Sequence, residues 1–437
     1  MPLLNASPSS QLPLPYSPTS IEKKLAKIPL PLAGILQRAL EGNVPNEDEI
    51  EALFHAQGNE VDALLHTADL VREARCGNTA TFVITRNINF TNVCHMGCQF
   101  CNFGVNKNAE NAEFLNTEKV AERAQEAQGR GATEVCIQGG LHPDMPASYY
   151  GELLDTVTAQ VPGIHIHAFS PFEIWYGARK GRTAYRDFLA DLKARGLASM
   201  PGTAAEILDT QVRRQLTKNK LSTENWVEII ETAHSLNIPT TSTIMYGHID
   251  GPKHWAAHLT LLRDIQGRTG GFTEFVPLGF IHADSPLYTQ NPDKVRTGPT
   301  RDEHFKMHAI ARIALQGYID NIQASWVKMG PDMASQVLRA GANDLGGTLM
   351  NETITRSAGA IHGQEMPPET LESLIRDAGR VPRQRTTLYD TPPQERRVAA
   401  IDWPALKPTV ITLARGYEND PKNKRNLLHP DLVSELP

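Results

Sequence analysis

From about residue 81 to residue 346 the chain alternates short apolar runs with stretches of helical periodicity, and this alternation narrows the fold more than any other feature. The apolar runs cover 82–90, 134–138, 164–169, 197–200, 239–246, 272–277, 319–322 and 342–345. Helical patterns lie between them, near 117–130, 147–160, 183–195, 203–215, 223–236, 253–267, 301–316 and 331–340. Short continuous apolar runs suit strands buried on both faces, as parallel sheets require. Eight strand-then-helix units predict an α/β fold, a (β/α)8 TIM-type barrel. In that fold the chemistry sits in the loops that follow the strands.

The flanks read differently. Residues 1–20, rich in Pro, Ser and Leu, suit a disordered tail. They lack the basic start and apolar core of a signal peptide. Residues 21–80 suit a helical cap, in which Asn46 opens a helix with acidic residues in its first turn. The barrel fills 81–346, and 347–437 is expected to be a helical extension and tail. That extension holds a helix near 368–378 and then a segment rich in Pro, Arg and Lys, expected to wrap the surface or to be partly disordered. No apolar run approaches the roughly 18–20 residues of a membrane span. The net charge of −6 is spread along the chain, unlike the one-sided basic surface of a nucleic-acid binder. A cytoplasmic protein with neither membrane nor nucleic-acid partner is expected.

Five cysteines, an odd number and few for 437 residues, argue against a disulfide framework. Three of them fall in one loop as Cys94-x3-Cys98-x2-Cys101. Thiolates are the natural ligands of iron–sulfur clusters. Three can hold three irons of one [4Fe-4S] cluster and leave the fourth iron open to chelate a small molecule. Phe90, Phe100 and Phe103 would shield such a cluster, and Gly97 permits the tight turn. Two other readings use the same residues: a zinc site with His95 or His142 as fourth ligand, and a redox pair of Cys98 with Cys101.

Further polar and glycine motifs stand at the strand ends. Gly139 and Gly140 follow the second strand and allow close backbone approach. Thr203 and Glu206 have the spacing of a helix capping box, and Glu206 is equally a candidate ligand contact. Tyr246, Gly247 and His248 end the fifth strand. Tyr246 reads as a core aromatic or a ligand contact, His248 as a catalytic or loop residue. Glu274 lies among apolar residues of the sixth strand and needs a partner, His282 lies just beyond, and Asn343 and Asp344 end the eighth. Together with Thr241 and Thr243 they would furnish a polar barrel mouth.

The cysteine spacing, in the loop after a first barrel strand, resembles the radical S-adenosylmethionine (radical SAM) superfamily. The resemblance implies a [4Fe-4S] cluster on Cys94, Cys98 and Cys101, with S-adenosylmethionine (SAM) at its open iron. It implies that Gly139, Gly140, Glu206, Tyr246 and Gly247 contact SAM, and it leaves His248, Glu274, His282 and Asp344 as catalytic candidates. Asn89-Phe-Thr-Asn-Val-Cys94, Gln138-Gly-Gly-Leu-His-Pro143, Met200-Pro-Gly-Thr-Ala-Ala-Glu-Ile-Leu208, Met245-Tyr-Gly-His248, Gly270-Gly-Phe-Thr-Glu-Phe-Val-Pro-Leu278 and Ala342-Asn-Asp-Leu-Gly-Gly-Thr348 follow in order. Together they resemble the family of 5-amino-6-(D-ribitylamino)uracil–L-tyrosine 4-hydroxyphenyl transferases, the second subunits of FO synthase. That family implies hydrogen abstraction from the tyrosine amino group, Cα–Cβ cleavage, and addition of the 4-hydroxybenzyl fragment to the aminouracil. It also implies a companion FO synthase subunit for cyclisation and an electron donor. One cysteine triad and one barrel's length point away from a fused two-barrel form. The nearest alternative is an aminofutalosine synthase-like radical SAM enzyme of menaquinone formation, and a different class is a non-catalytic metal- or cluster-binding module.

Overall fold

The computed structural model describes residues 18–217, 219, 221–406, 410–412 and 426–428. Four helices come first: α1 (Pro18–Leu25), α2 (Leu30–Leu40), α3 (Glu47–Phe54) and α4 (Asn59–Cys76). The Asn46 side chain accepts from Glu49 N and Glu49 returns to Asn46 N, a complete capping box. The expected tail falls outside the described residues except for Pro18, Thr19 and Ser20, which already belong to α1.

The barrel follows. A first strand is broken at Ile84 into β1 (Thr79–Val83) and β2 (Thr85–Asn89). Next come α5 (Thr117–Gly129), β3 (Glu134–Gln138), α6 (Ser148–Gln160), β4 (His165–Ala168), α7 (Pro171–Gly181), α8 (Tyr185–Ala194), α9 (Thr210–Leu216) and α10 (Thr223–Ser235). Then β5 (Thr240–Tyr246), α11 (Pro252–Thr269), β6 (Phe272–Gly279), α12 (Pro286–Thr289), α13 (Arg301–Leu315), α14 (Trp326–Met329), α15 (Pro331–Val337) and β7 (Asp344–Gly347) complete it.

Parallel pairing runs from β2 through β3 to β4, crosses to β5 by bridges at His167–Ser199 and Met200–Thr240, and continues to β6. Bridges Phe275–Ile322 and Gln323–Asp344 lead to β7, which pairs with β1, and Arg86–Met350 closes the ring on β2. The fourth and seventh strands expected from sequence are thus reduced to bridging pairs. Pro201 stops the fourth, because it has no N–H to continue the ladder. The helices α3 and α4 pack on α11 and α13 outside the ring, tied there by Arg263 to the Pro45 carbonyl and by Gln316 to the Ala39 carbonyl.

The C-terminal region contains α16 (Ile354–Ser357), α17 (Pro368–Asp377), β8 (Val381–Arg385) and α18 (Gln394–Asp402), with a short antiparallel pair β9 (Val410–Thr412) and β10 (Asn426–Leu428). The described start of the basic segment lies partly on the surface but also sends one side chain inward. The strand β8 pairs in parallel with all of β1, and Arg385 is 2% exposed inside the barrel. Two buried carboxylates, Asp344 and Glu274, explain this, since a buried charge requires a partner. At α18, Gly131 leaves room that a Cβ would lose, standing 2.4 Å from the Arg396 carbonyl oxygen.

Candidate active site

The cysteine loop is built by its backbone. Cys94 N donates to Val105 O at 3.0 Å and Val105 N to Asn92 O at 2.9 Å, so the loop returns beside its own start. Cys101 N donates to Cys98 O at 3.1 Å, and Gly97 takes φ of +66°, the left-handed region that glycine tolerates. The described residues include all five cysteines, and none is in a disulfide. Cys94, Cys98 and Cys101 are each partly exposed. Phe100 and Cys101 border a cavity of about 350 Å³ that descends into the ring.

Strand alternation decides what reaches this cavity. Glu134, Cys136 and Gln138 of β3 line it, as do Thr241, Thr243 and Met245 of β5, while Val135, Ile137, Ser242, Ile244 and Tyr246 do not. Burial lifts the Cys136 thiol to about 12, and Gln138 Nε2 donates to its sulfur at 3.4 Å.

The glycine turn is packed against the cysteine loop. A Cβ on Gly140 would stand 2.3 Å from Val93 O and 3.0 Å from Cys94 Cβ; one on Gly139 would stand 2.5 Å from the Phe90 ring. Gly140 N donates to Thr91 O at 2.8 Å and Gly139 N to Glu173 Oε1 at 3.0 Å. Both amides are thus spent within the protein; an amino group, which donates, would be met at this turn by carbonyl oxygens.

Glu173 is a residue the sequence reading missed, along with its helix α7. Its Oε2 accepts from Ser170 N and Ser170 Oγ, both at 2.7 Å, while burial raises the carboxyl to about 7. Ser170-Pro171-Phe172-Glu173 carries the signal that would have found it: a capping box with proline at the first helical position.

Glu206 lines the cavity, but it is no capping residue. Ala204 and Glu206 have φ of +63° and +41°, which a helix cannot contain, so α9 begins later with Asp209 as its cap. Thr203 Oγ1 instead donates to Gln138 Oε1 at 3.0 Å.

Six other candidates are placed away from the cavity. His248 is fully buried; its Nδ1 accepts from Ile249 N at 2.8 Å and its Nε2 lies 3.0 Å from Met245 O. Burial lowers its pKa, against the pull of Asp250. The Tyr246 hydroxyl is 2.7 Å from His304 Nδ1 behind the sheet, and Gly247 N donates to Asp250 Oδ1 at 3.0 Å. His282 packs edge-on against Tyr288 on the loop after β6. Asp344 accepts from Thr81 Oγ1 at 2.5 Å and from Gly346 N at 2.6 Å under the floor, and Asn343 is taken up by Arg312 and Ile322 N. Glu274 does reach the cavity floor, where it accepts from Tyr389 OH at 2.5 Å and Arg385 Nη2 at 3.1 Å. Burial pushes its pKa up, Arg385 opposes this, and Asp344 adds to the rise.

The histidines of the zinc reading have other surroundings. His95 Nδ1 is 2.7 Å from Leu141 O, and the His142 ring meets Phe114 edge-on. Among the described residues no three His, Cys, Asp or Glu side chains gather as the ligands of a single metal ion would. A cluster binds each thiolate on a separate iron, so its ligands need to share a loop and not a point. The donor set therefore suits a cluster: three cysteines on one closed loop, beside a tight glycine turn, at the mouth of a cavity.

Comparison with known proteins agrees with this geometry. Residues 88–262 match the radical SAM superfamily, and residues 269–398 match the CofH/MqnC C-terminal region. The FO synthase of Streptomyces coelicolor is 50% identical over 356 residues, 82% of this chain but 41% of that protein. The chain thus spans about two fifths of the length of the FO synthases it matches. The 5-amino-6-(D-ribitylamino)uracil–L-tyrosine 4-hydroxyphenyl transferase of Methanothermobacter thermautotrophicus is 47% identical over 355 residues, 81% of this chain and 96% of that protein. Among solved structures, methylornithine synthase superposes with a TM-score of 0.63 at 18% identity, covering 80% of this chain and 97% of its own. The hydrogenase maturase HydG of Carboxydothermus hydrogenoformans gives 0.64 at 15% identity, covering 84% of this chain and 83% of its own. Those two share the barrel fold. The cysteine loop, the ring and the near full-length relative together make this chain a member of the radical SAM superfamily, in the family of 5-amino-6-(D-ribitylamino)uracil–L-tyrosine 4-hydroxyphenyl transferases.

Proposed function

We propose that the chain is a transferase that cleaves the Cα–Cβ bond of L-tyrosine and joins the 4-hydroxybenzyl fragment to 5-amino-6-(D-ribitylamino)uracil, a step towards the FO deazaflavin. The observation that carries this reading is the Methanothermobacter transferase, matched along 96% of its length. The reading includes a companion radical SAM subunit for cyclisation, an electron donor and a reducing, cytoplasmic setting. No helix among the described residues is long and apolar enough to cross a membrane.

In this reading Cys94, Cys98 and Cys101 hold one [4Fe-4S] cluster per chain. Reduced and with SAM bound, the cluster supplies a 5′-deoxyadenosyl radical. The carbonyls of Gly139 and Gly140 would meet the amino group of SAM, and Glu206, which lines the cavity, would be a further contact. Phe100, Leu278 and Phe280 give the cavity apolar walls that exclude water from a reactive centre. Asn87, Gln138, Thr241, Thr243 and Gln323 offer the fixed amides and hydroxyls that a ribityl chain and a uracil edge require. Of His248, Glu274, His282 and Asp344, only Glu274 borders the cavity, so the other three are assigned to holding the fold.

One anaerobic assay tests the reading: reconstituted protein, reductant and SAM, with tyrosine and the aminouracil. The expected products are 5′-deoxyadenosine, the benzyl–uracil adduct and 2-iminoacetate or its hydrolysis product glyoxylate, all absent with Cys98→Ala. Deoxyadenosine formed only with an enolpyruvyl benzoate would replace this reading with the menaquinone one.

A further inference from the structure

Two lysine or arginine side chains border the cavity among the described residues, and only one of them is neutralised. Arg385 is paired with Asp344 and Glu274. Lys328, on α14 after the seventh strand position, makes neither an ion pair nor a side-chain hydrogen bond; it is partly exposed and lines the cavity. The acidic groups that face it are Glu352 and Cys101; burial lowers its pKa against the pull of both.

Glu352 also lines the cavity, from the segment that follows β7, and is 4% exposed. Its Oε1 accepts from Thr355 N at 2.7 Å, while its Oε2 is buried with no hydrogen-bond partner. Glu352 and Lys328 form no ion pair with each other. An uncommitted cation and an uncommitted carboxylate oxygen on one cavity wall are each costly to bury. An α-amino acid satisfies both at once, with its carboxylate on the lysine and its amino group on the glutamate.

Two amino-acid headgroups belong to the proposed reaction, those of SAM and of tyrosine. The Gly139–Gly140 turn, the expected seat of the SAM headgroup, follows β3 on one flank of the cysteine loop. Lys328 and Glu352 follow the seventh and eighth strand positions, on its other flank. We propose that Lys328 and Glu352 bind the α-carboxylate and α-amino group of the amino-acid substrate and hold that amino group beside the cysteine loop. This inference rests on the proposed function above, since it takes tyrosine as the substrate.

Anaerobic equilibrium binding of tyrosine and of SAM to the reconstituted protein tests it, with no turnover required. Lys328→Met and Glu352→Gln should each weaken tyrosine binding about tenfold or more, the usual weight of a hydrogen bond to a charged group, and leave SAM binding within about twofold. Iron content and melting temperature serve as folding controls. Wild-type protein provides an independent arm: tyramine, which lacks the carboxylate, should bind at least tenfold more weakly than tyrosine, and the Lys328→Met substitution should erase that gap. Loss of SAM binding with tyrosine unaffected would give the pair to SAM and overturn the assignment. Unchanged binding of both ligands, or tyramine binding as tightly as tyrosine, also overturns it. Wild-type protein that binds SAM but no tyrosine brings down the proposed function together with this inference.

Discussion

Arg385 Nε lies 2.5 Å from Asp344 Oδ2, and this contact joins the C-terminal strand β8 to the first residue of β7 across the barrel floor. The same guanidinium reaches Glu274, and the Tyr389 ring stacks 4.1 Å beneath it. The floor is thus an ion cluster supplied partly by a segment outside the ring. Residues at the N-terminal end of barrel strands serve stability, while the loops at the other end serve chemistry.

Arg385→Met should therefore act on folding. It leaves Asp344 and Glu274 buried without their cation, a change that costs about 3–5 kcal/mol in comparable pairs. Urea denaturation measures it, and a loss under about 1 kcal/mol would contradict the role given to this residue. By the same logic Asn343→Ala and Asp344→Ala should lower SAM cleavage and benzyl coupling together, in step with the folded fraction. A selective loss of coupling would restore them to the substrate site.

Gly140→Val should disturb the cysteines before it disturbs SAM. The nearest obstacle to its new side chain is the Val93 carbonyl, with Cys94 Cβ next, and both belong to the cysteine loop. The expected outcome is reduced iron per chain after reconstitution. Gly42→Ala, where a Cβ meets nothing within 4 Å but φ is +87°, controls for backbone strain alone. Full iron loading of Gly140→Val with weakened SAM binding would mean that the glycine serves the ligand directly.

Glu173→Ala should loosen the same turn from the other side. The substitution strands Gly139 N and both donors of Ser170 inside the protein. Each buried donor left without its charged acceptor costs about 1–3 kcal/mol. Stability and SAM affinity should fall together, and Glu173→Gln, which keeps one acceptor oxygen, should recover part of both. Unchanged SAM affinity at reduced stability would confine Glu173 to capping α7.

Much of this was legible in the sequence because the barrel's strands are apolar runs of helix-incompatible length, and because three cysteines at fixed spacing have few uses. All eight strand positions lie where the alternation puts them, even where β4 and β5 are linked through only Ser199 and Met200. What periodicity cannot give is the direction of each side chain. Tyr246 and His248 share a motif with Met245, yet alternation along β5 and past its end sends only Met245 to the cavity. Thr203 and Glu206 have capping spacing, but spacing carries no information on φ, and two left-handed residues exclude the helix there. Arg385 was hidden for another reason. A basic, proline-containing segment resembles a solvated tail unless the acids it must neutralise are known, and those lie 41 and 111 residues earlier.

Burial lowers His167, His234 and His308 to about 4, and His258 and His304 to about 3. Burial is what disfavours their charged forms; His234, for example, sits between Thr269 Oγ1 at 2.7 Å and Thr240 Oγ1 at 3.0 Å. Their unfolded value is near 6.5, so between there and about 4 the unfolded chain binds protons that the folded one refuses. Stability is full above pH 6.5 and is lost as pH falls. Glu173 and Glu274 run the opposite way: raised to about 7 from 4.5, each binds its proton earlier in the folded state and favours folding as pH drops through that window. Each unmatched proton weighs about 1.4 kcal/mol per pH unit, and five histidines outweigh two glutamates. Melting temperature measured anaerobically should fall steeply from pH 6.5 to 5, and His234→Gln should reduce the slope by about one proton's worth. A flat profile from pH 8 to 5 would mean that these histidines find protonated states inside the fold, against the burial described here.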